Sequence, residues 1–261
     1  MRLATWNVNS VRTRVDRVLA FLERSGTDVL AMQETKCRED QFPHLAFQAA
    51  GYEVVHHGLN QWNGVAVASR VGISDVETAF EGMPTWGDPP GAEARALGVT
   101  CGGVRVWSLY VPNGRLLDDP HYAYKLQWLA ALRGAAAGWL AADPDAQIAL
   151  VGDWNIAPRD EDVWDMSVFQ GATHVSPAER EAFRAFEDVG FTEVTRRHVD
   201  QYTYWDYQRL RFPRNEGMRI DFVQASPRLA ADVVGAQIDR EERKGRGASD
   251  HVPVIVDVER A

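Results

Sequence analysis

The chain has little cysteine, no long apolar run and a deficit of positive charge. Its 261 residues include only two cysteines, Cys37 and Cys101. They lie far apart without metal-type spacing, which argues against a thiolate metal site and leaves reduced, structural thiols as the expectation. No stretch reaches the roughly 18–20 apolar residues of a membrane span. The start, MRLATWNVNS, enters a strand pattern and lacks the apolar core of a secretory signal. A cytoplasmic protein with no membrane partner is expected. Lys and Arg number 28 against 37 Asp and Glu, a formal net charge of -9. That argues against holding nucleic acid by bulk charge. It leaves room for a local basic face and for an acidic site that needs a divalent cation. No Pro/Gly/Ser-rich linker, low-complexity segment or short repeat divides the chain, so one domain over 1–261 is expected.

The composition is that of a soluble globular protein, 45% hydrophobic and 25% charged. Short apolar or alternating runs predict strands at Arg2–Asn7, Val29–Gln33, Val65–Ala68, Val104–Val111, Ile148–Gly152, Ile220–Ala225 and Val252–Val258. Helical spacing of apolar residues predicts helices over Thr13–Ser25, Tyr122–Leu140 and Pro177–Val189, the last with Ser176 as N-cap and Pro177 in the first turn. Strands and helices interleave from end to end, which makes the class α/β or α+β. DPPG at Asp88–Gly91 is read as a loop, and DREERKGRG at Asp239–Gly247 as a charged loop without apolar anchors.

The run IALVGDWNIAP at Ile148–Pro158 carries the strongest chemical signal. A buried strand ends at Gly152, and Asp153 and Asn155 follow two residues apart. If the extended geometry persists, alternation puts both on one side. A buried carboxylate needs a cation, a donor or a chemical role; the bland alternative is an Asx turn. The pattern recurs. Asn7 and Asn9 follow the first strand, Glu34 ends VLAMQE, Tyr110 ends WSLY, Asp221 sits inside RIDFVQA, and Asp250 and His251 precede VPVIVDV. Glu34, Asp153, Asp221 and Asp250 would crowd carboxylates together, and like charges at that distance cannot all ionise uncompensated. A hard divalent cation with oxygen ligands is the usual compensation. An Asp paired with His251 would orient its ring and favour the protonated form, suited to a phosphate.

These residues sit in motifs that resemble the exonuclease III family of apurinic/apyrimidinic (AP) endonucleases, within the endonuclease/exonuclease/phosphatase superfamily. The motifs are WNVNSVRTR (Trp6–Arg14), LAMQETK (Leu30–Lys36), NGVA (Asn63–Ala66), SLYVPNG (Ser108–Gly114), GDWNIAP (Gly152–Pro158), YTYWDY (Tyr202–Tyr207), GMRIDF (Gly217–Phe222) and SDH (Ser249–His251), in order along nearly the whole chain. The resemblance implies a four-layer α/β/β/α sandwich with the active site at one rim of the two packed sheets. It implies Mg²⁺-dependent hydrolysis of the DNA backbone 5′ to abasic sites, with 3′–5′ exonuclease and 3′ end-processing activity, and Mn²⁺ able to substitute.

Carried over residue by residue, the resemblance makes Glu34 the principal metal carboxylate, with Asn7, Asp153, Asn155, Asp250 and His251 around the ion. Asp153 would orient or deprotonate the attacking water and Asn155 would stabilise the transition state. Tyr110 and Asn113 would contact the scissile phosphate, and His251, paired with Asp221, would donate to a phosphate oxygen. Asn9 fits the second metal-proximal amide. Tyr204, Trp205, Met218 and Ile220 match the pocket for an extrahelical abasic sugar, with Met218 where other members can carry an aromatic. Phosphate contacts are expected from Arg12, Lys36, Arg115, Lys125, Arg211, Arg214 and the Arg240–Arg246 loop. The implied partner is duplex DNA with abasic or 3′-blocked sites, and the implied state a monomer. A lipid or inositol phosphodiesterase is the alternative; it would not need Tyr204–Trp205 and Gly217–Ile220 in this form.

Overall fold

The protein, seen in a computed structural model, is described over residues 1–259. Its strands are β1 (Arg2–Asn7), β2 (Val29–Gln33), β3 (Glu53–His57), β4 (Val65–Ser69), β5 (Ser74–Glu77), β6 (Ala96–Cys101), β7 (Val104–Tyr110), β8 (Ile148–Asp153), β9 (Thr192–Glu193), β10 (Asp221–Ala225), β11 (Val233–Ile238) and β12 (Val254–Val258). Its helices are α1 (Val15–Ser25), α2 (His44–Ala49), α3 (Pro120–Ala142), α4 (Pro177–Arg184) and α5 (Pro227–Asp232).

The strands form two six-stranded sheets, ordered β11-β12-β1-β2-β4-β3 and β5-β6-β7-β8-β10-β9. Each contains a parallel pair, β1 with β2 and β7 with β8, among antiparallel neighbours. Alternation sorts the side chains into layers. Leu3, Val29, Ala31, Val106, Val151 and Val223 fill the space between the sheets. Ala4, Trp6, Leu30 and Met32 face outward onto Phe21, Leu22 and Phe47 of α1 and α2. Trp107, Leu109, Leu150 and Phe222 face the other way onto Trp128, Leu129 and Phe183 of α3 and α4. The result is helices, sheet, sheet, helices, the expected four layers.

The seven expected strands are present within two residues at each end. β3, β5, β6, β9 and β11 were not anticipated. β5 is exposed throughout and β9 has two residues, so neither shows a burial pattern. The apolar run of β6 is interrupted by Gly98, where a Cβ would strike the Trp107 ring lying across it, although the strand itself continues. Ser176 caps α4 as expected, with Glu179 closing a capping box. The helix ends at Arg184 rather than running to Val189. The chain bends there, and Phe183 and Phe186 both pack edge-on against Trp154. The Asp239–Gly247 segment has no apolar anchor, as expected, and is held instead by an ionic one, the buried Glu242, which binds Arg17 and Arg24.

Gly152 is the tightest point of the rim. A Cβ on it would collide with the Leu109 carbonyl oxygen, backbone that cannot swing aside. Gly152→Ala must force β7 and β8 apart, and overpacking of this kind lowers Tm by roughly 5–10 °C. Thermal unfolding checks this; an unchanged Tm would show that the strands part freely.

Candidate active site

Strand register assembles the site. Tyr110 pairs with Asp153 across β7/β8, and Asp153 pairs with Asp221 across β8/β10. In the other sheet Asn7 pairs with Gln33, and Glu34 follows. The parity that turns Leu3 inward also turns Thr5 and Asn7 between the sheets; the parity that turns Val151 and Val223 inward does the same for Asp153 and Asp221. The inter-sheet core thus changes character toward the rim. Above the aliphatic layer, Gln33 Nε2 donates to Thr5 Oγ1 (3.0 Å) and Ser108 Oγ (3.0 Å), and the carboxylates stand on that polar layer.

Asn7 is the hub, and it is fully buried. Its Nδ2 donates to Glu34 Oε1 (2.8 Å) and to Asp153 Oδ2 (3.0 Å), one amide bridging two carboxyl groups from opposite sheets. Ser249 Oγ donates to the Asn7 carbonyl (2.7 Å) and holds the SDH segment against β1. His251 Nδ1 lies 2.9 Å from Asp221 Oδ2, while its Nε2 is 3.7 Å from Asp153 Oδ2. Lys36 Nζ contacts Glu34 Oε2 (2.6 Å) and donates to Asn9 Oδ1 (2.6 Å); Asn9 Nδ2 in turn donates to Asp250 Oδ1 (3.0 Å).

The extended geometry stops at Asp153. Asn155 has φ 51, and its backbone N–H donates to Asp153 Oδ1 (2.9 Å). The Asx turn and the site carboxylate are therefore one and the same residue. Turned out of the strand, Asn155 donates Nδ2 to the Val111 carbonyl (3.0 Å), and its Oδ1 accepts from Asn113 Nδ2 (3.1 Å). Asn9, Glu34, Lys36, Arg115 and His174 also have positive φ. Non-glycine residues in this region cost roughly 1–3 kcal/mol each and gather where function over-determines the backbone.

Burial pushes the Asp153 carboxyl up to about 7; Asp221 and Glu34 add to this against the pull of His251. For His251, burial opposes the cation, but Asp221 and Asp153 outweigh it and push the imidazole up to about 10. Burial would raise Glu34 too, yet the Lys36 ammonium and the Asn7 amide hold it below its ordinary value. Burial and the Glu34 charge keep Tyr110 a neutral phenol. Glu34, Asp153 and His251 offer ligand atoms within 4.8 Å of one another. Buried carboxylate oxygens from Glu34 and Asp153, close together and with Asp221 nearby, fit a hard divalent cation.

Most expected residues meet here. Glu34, Tyr110, Asn113, Asp153, Asn155, Tyr204, Met218, Ile220, Asp250 and His251 line one cavity of about 280 Å³. Arg12 and Arg115 stand exposed, and Lys36 is half-buried. Trp205 does not face this cavity. In the extended Tyr204–Trp205 pair, Tyr204 bridges Met218 and His251, so Trp205 points the other way and is fully buried against Phe212 and Tyr202. Lys125 cannot touch DNA, for it is also fully buried. Its Nζ donates to Glu179 Oε1 (2.5 Å), the Asn155 carbonyl (2.6 Å) and the Asn113 carbonyl (3.2 Å). Arg211 and Arg214 pair with Glu216. Arg240 and Arg243 lie over Phe212, and Arg243 donates to the Trp205 carbonyl (3.0 Å). These arginines brace the loop.

His174 was not anticipated. It lines the same cavity, with Nε2 3.1 Å from both Asn155 Oδ1 and Asn113 Nδ2. Burial and the Lys125 ammonium push it down to about 3, so it is neutral. Its backbone N–H donates to Glu179 Oε1 (2.9 Å). The sequence signal was the Ser176/Glu179 capping box, which fixes the turn that carries it.

Residues 4–251 match the endonuclease/exonuclease/phosphatase family. The chain is 27% identical to exodeoxyribonuclease III of Haemophilus influenzae, over 97% of this chain and 98% of the relative. Among solved structures it is similar to a 3′ phosphatase from Neisseria bound to a product DNA hairpin, with TM-score 0.92, 35% identity and 99% coverage of both chains. It is also similar to an AP endonuclease from Archaeoglobus fulgidus, with TM-score 0.91, 32% identity and 99% coverage of both.

Removing one partner of a buried ion pair strands the other, at a cost of about 3–5 kcal/mol. Lys125→Met is therefore expected to lower Tm by roughly 10 °C, and the double variant Lys125→Met/Glu179→Gln, which removes both charges but keeps an acceptor for Thr173 and the His174 N–H, to regain part of that loss. A single variant as stable as the wild type in thermal unfolding would overturn the brace.

Proposed function

The chain belongs to the endonuclease/exonuclease/phosphatase family, and from that premise we propose that it is a DNA-repair phosphodiesterase of the exonuclease III type. It acts as a single-domain monomer on duplex DNA carrying abasic sites or blocked 3′ ends, with Mg²⁺ as its cation and Mn²⁺ able to substitute. The observation that carries this reading is the convergence of Asn7, Glu34, Asp153 and the Asp221–His251 pair on one floor.

Glu34 and Asp153, with Asn7 and Asp250 beside them, would hold the cation, whose charge meets the negative charge building on the phosphoryl oxygens. Asp153 takes the proton of the attacking water; a carboxyl lifted to about 7 is matched to that task near neutral pH. His251 bears both ring protons. Nδ1–H is held by Asp221, and 3.7 Å from Asp153 is too long for a hydrogen bond, so Nε2–H remains for a phosphoryl oxygen. An imidazolium held in this way is a better donor than metal ligand. Asn155 has one amide hydrogen on Val111 and a second for the transition state. Tyr204, Met218 and Ile220 give the cavity an apolar wall suited to a sugar without its base.

The cavity is small, and His174 occupies the side next to Asn113 and Asn155. A terminal 3′ phosphate needs less room there than an extrahelical abasic sugar with DNA on both sides. The 3′-blocked end is therefore the better-fitted substrate. Purified protein with Mg²⁺ is expected to remove a 3′ phosphate faster than it nicks 5′ to a single abasic site, and to do neither in EDTA. Hydrolysis of a phosphoinositide alone would overturn the DNA reading.

Asp153→Asn should lose about 10²–10⁴ in kcat while DNA still binds in a mobility-shift titration; near-normal turnover would remove Asp153 from the chemistry. The pH dependence has a definite sign. The active form has Asp153 ionised and His251 protonated. kcat/KM should fall as pH drops through about 7, where Asp153 takes a proton, and fall again as pH rises through about 10, where His251 loses one. Raising the cation concentration favours the ionised carboxylate and moves the acid limb lower. His251→Asn should abolish the alkaline limb.

A further inference from the structure

A second cavity, of about 490 Å³, lies across one wall from the active site and takes no part in the chemistry above. Arg95 is that wall. Its guanidinium sits 4.8 Å over the Tyr110 ring, its Nη1 donates to the Tyr110 carbonyl (3.3 Å), and its other face lines the second cavity. Two indoles line the cavity as well. Trp86 is half-buried, stacked on Tyr124 at 5.0 Å, so its position is fixed from behind. Trp62 is 65% exposed, and Leu59 beside it in the lining is 53% exposed. Arg115 also reaches this cavity, its guanidinium 5.9 Å over Trp86.

Both ends of the cavity are fastened to the active site. Arg115 follows Asn113 by two residues, and its backbone N–H donates to Asn113 Oδ1 (3.1 Å). On the other side, the Asn63 carbonyl accepts the Lys36 N–H (2.9 Å), and the Gly64 carbonyl accepts the Thr35 N–H (3.1 Å), in the loop that carries Glu34. Trp62 and Leu59 contribute little to the core, and exposed apolar side chains grouped around one cavity mark an interaction surface. Flat aromatic faces with a guanidinium beside them suit a nucleobase, which stacks on an indole whatever its identity and gains from an adjacent Arg. An anionic or purely aliphatic ligand would use only part of this lining.

We propose that the cavity formed by Trp62, Trp86 and Arg115 is a stacking subsite for one unpaired nucleobase of the bound DNA, next to the phosphate held in the active site. This rests on the reading of the active site as a DNA phosphodiesterase. The subsite draws a frayed or extended strand end along the Arg95 wall and so favours ends whose last base is unpaired.

The test uses the whole protein with Mg²⁺ and two 3′-phosphate duplexes, one fully paired and one with two unpaired nucleotides at the end. The fluorescent base 2-aminopurine replaces an unpaired base either in the cleaved strand or in its complement. Stacking on an indole quenches it. Quenching in either arm supports the subsite and identifies the strand that supplies the base. Trp62→Ala should weaken the quenching and raise KM for the frayed end about 5- to 100-fold relative to the paired end, and Trp62→Phe, which keeps a flat ring but no indole, should restore most of the KM difference. Absence of quenching in both arms, or an equal KM change on both duplexes, overturns the subsite. Failure of the wild-type protein to cleave either duplex would instead sink the DNA reading itself.

Discussion

The active site depends on keeping several carboxyl groups buried together. Glu34 and Asp153 come from different sheets, and one Asn7 amide donates to both. Each carboxyl has a private partner besides, Lys36 for Glu34 and the Asn155 backbone N–H for Asp153. Without those donors the desolvation cost of two buried charges would be prohibitive. With them burial still lifts the Asp153 carboxyl to about 7, and Asp221 and Glu34 add to the lift against the pull of His251. On the proposed function, a carboxyl held in this way would favour a bound cation and would accept a proton from water near neutral pH.

A second buried pair makes the geometry permanent. Lys125 has three protons and three acceptors, and two of those acceptors are the backbone carbonyls of Asn113 and Asn155. Glu179 in turn accepts from Thr173, the His174 backbone and Ser176. The loops after β7 and β8 and the turn before α4 are thereby fastened to one ion pair that no solvent reaches. This is the over-determination that permits positive φ at Asn155, Arg115 and His174. The residues lining the cavity are held in place from behind.

Much of this could be read from the chain, and the errors have a common cause. Strand-end residues were legible because a polar group at the end of an apolar run is conspicuous, and because parity along a strand is a local property. Asn7, Asp153 and Asp221 were found in that way. What failed needed knowledge of the far side of an element. Trp205 lies one residue from Tyr204, and alternation alone sends it away from the cavity. Lys125 looked like a surface cation because nothing local announces that Glu179, 54 residues later, will bury it. Arg240 and Arg243 looked free because their aromatic partners come from a different loop. Edge strands such as β5 were silent because exposure on both faces leaves no pattern.

Charge sets the last constraint. An acidic chain has little bulk attraction for DNA, and several of its arginines near the site are committed to Glu216 or to aromatic faces. Phosphate contacts contribute the part of binding that is blind to structure. Where that part is weak, intact duplex is held poorly, and affinity must come from groups that an intact duplex hides. Those groups are a sugar without its base, a terminal phosphate and an unstacked base. On the proposed function, the apolar wall of Tyr204, Met218 and Ile220 would address the first and the His251 imidazolium the second. A deficit of positive charge, at first an argument against a nucleic-acid protein, is on this view a source of selectivity for damaged DNA over the undamaged duplex around it.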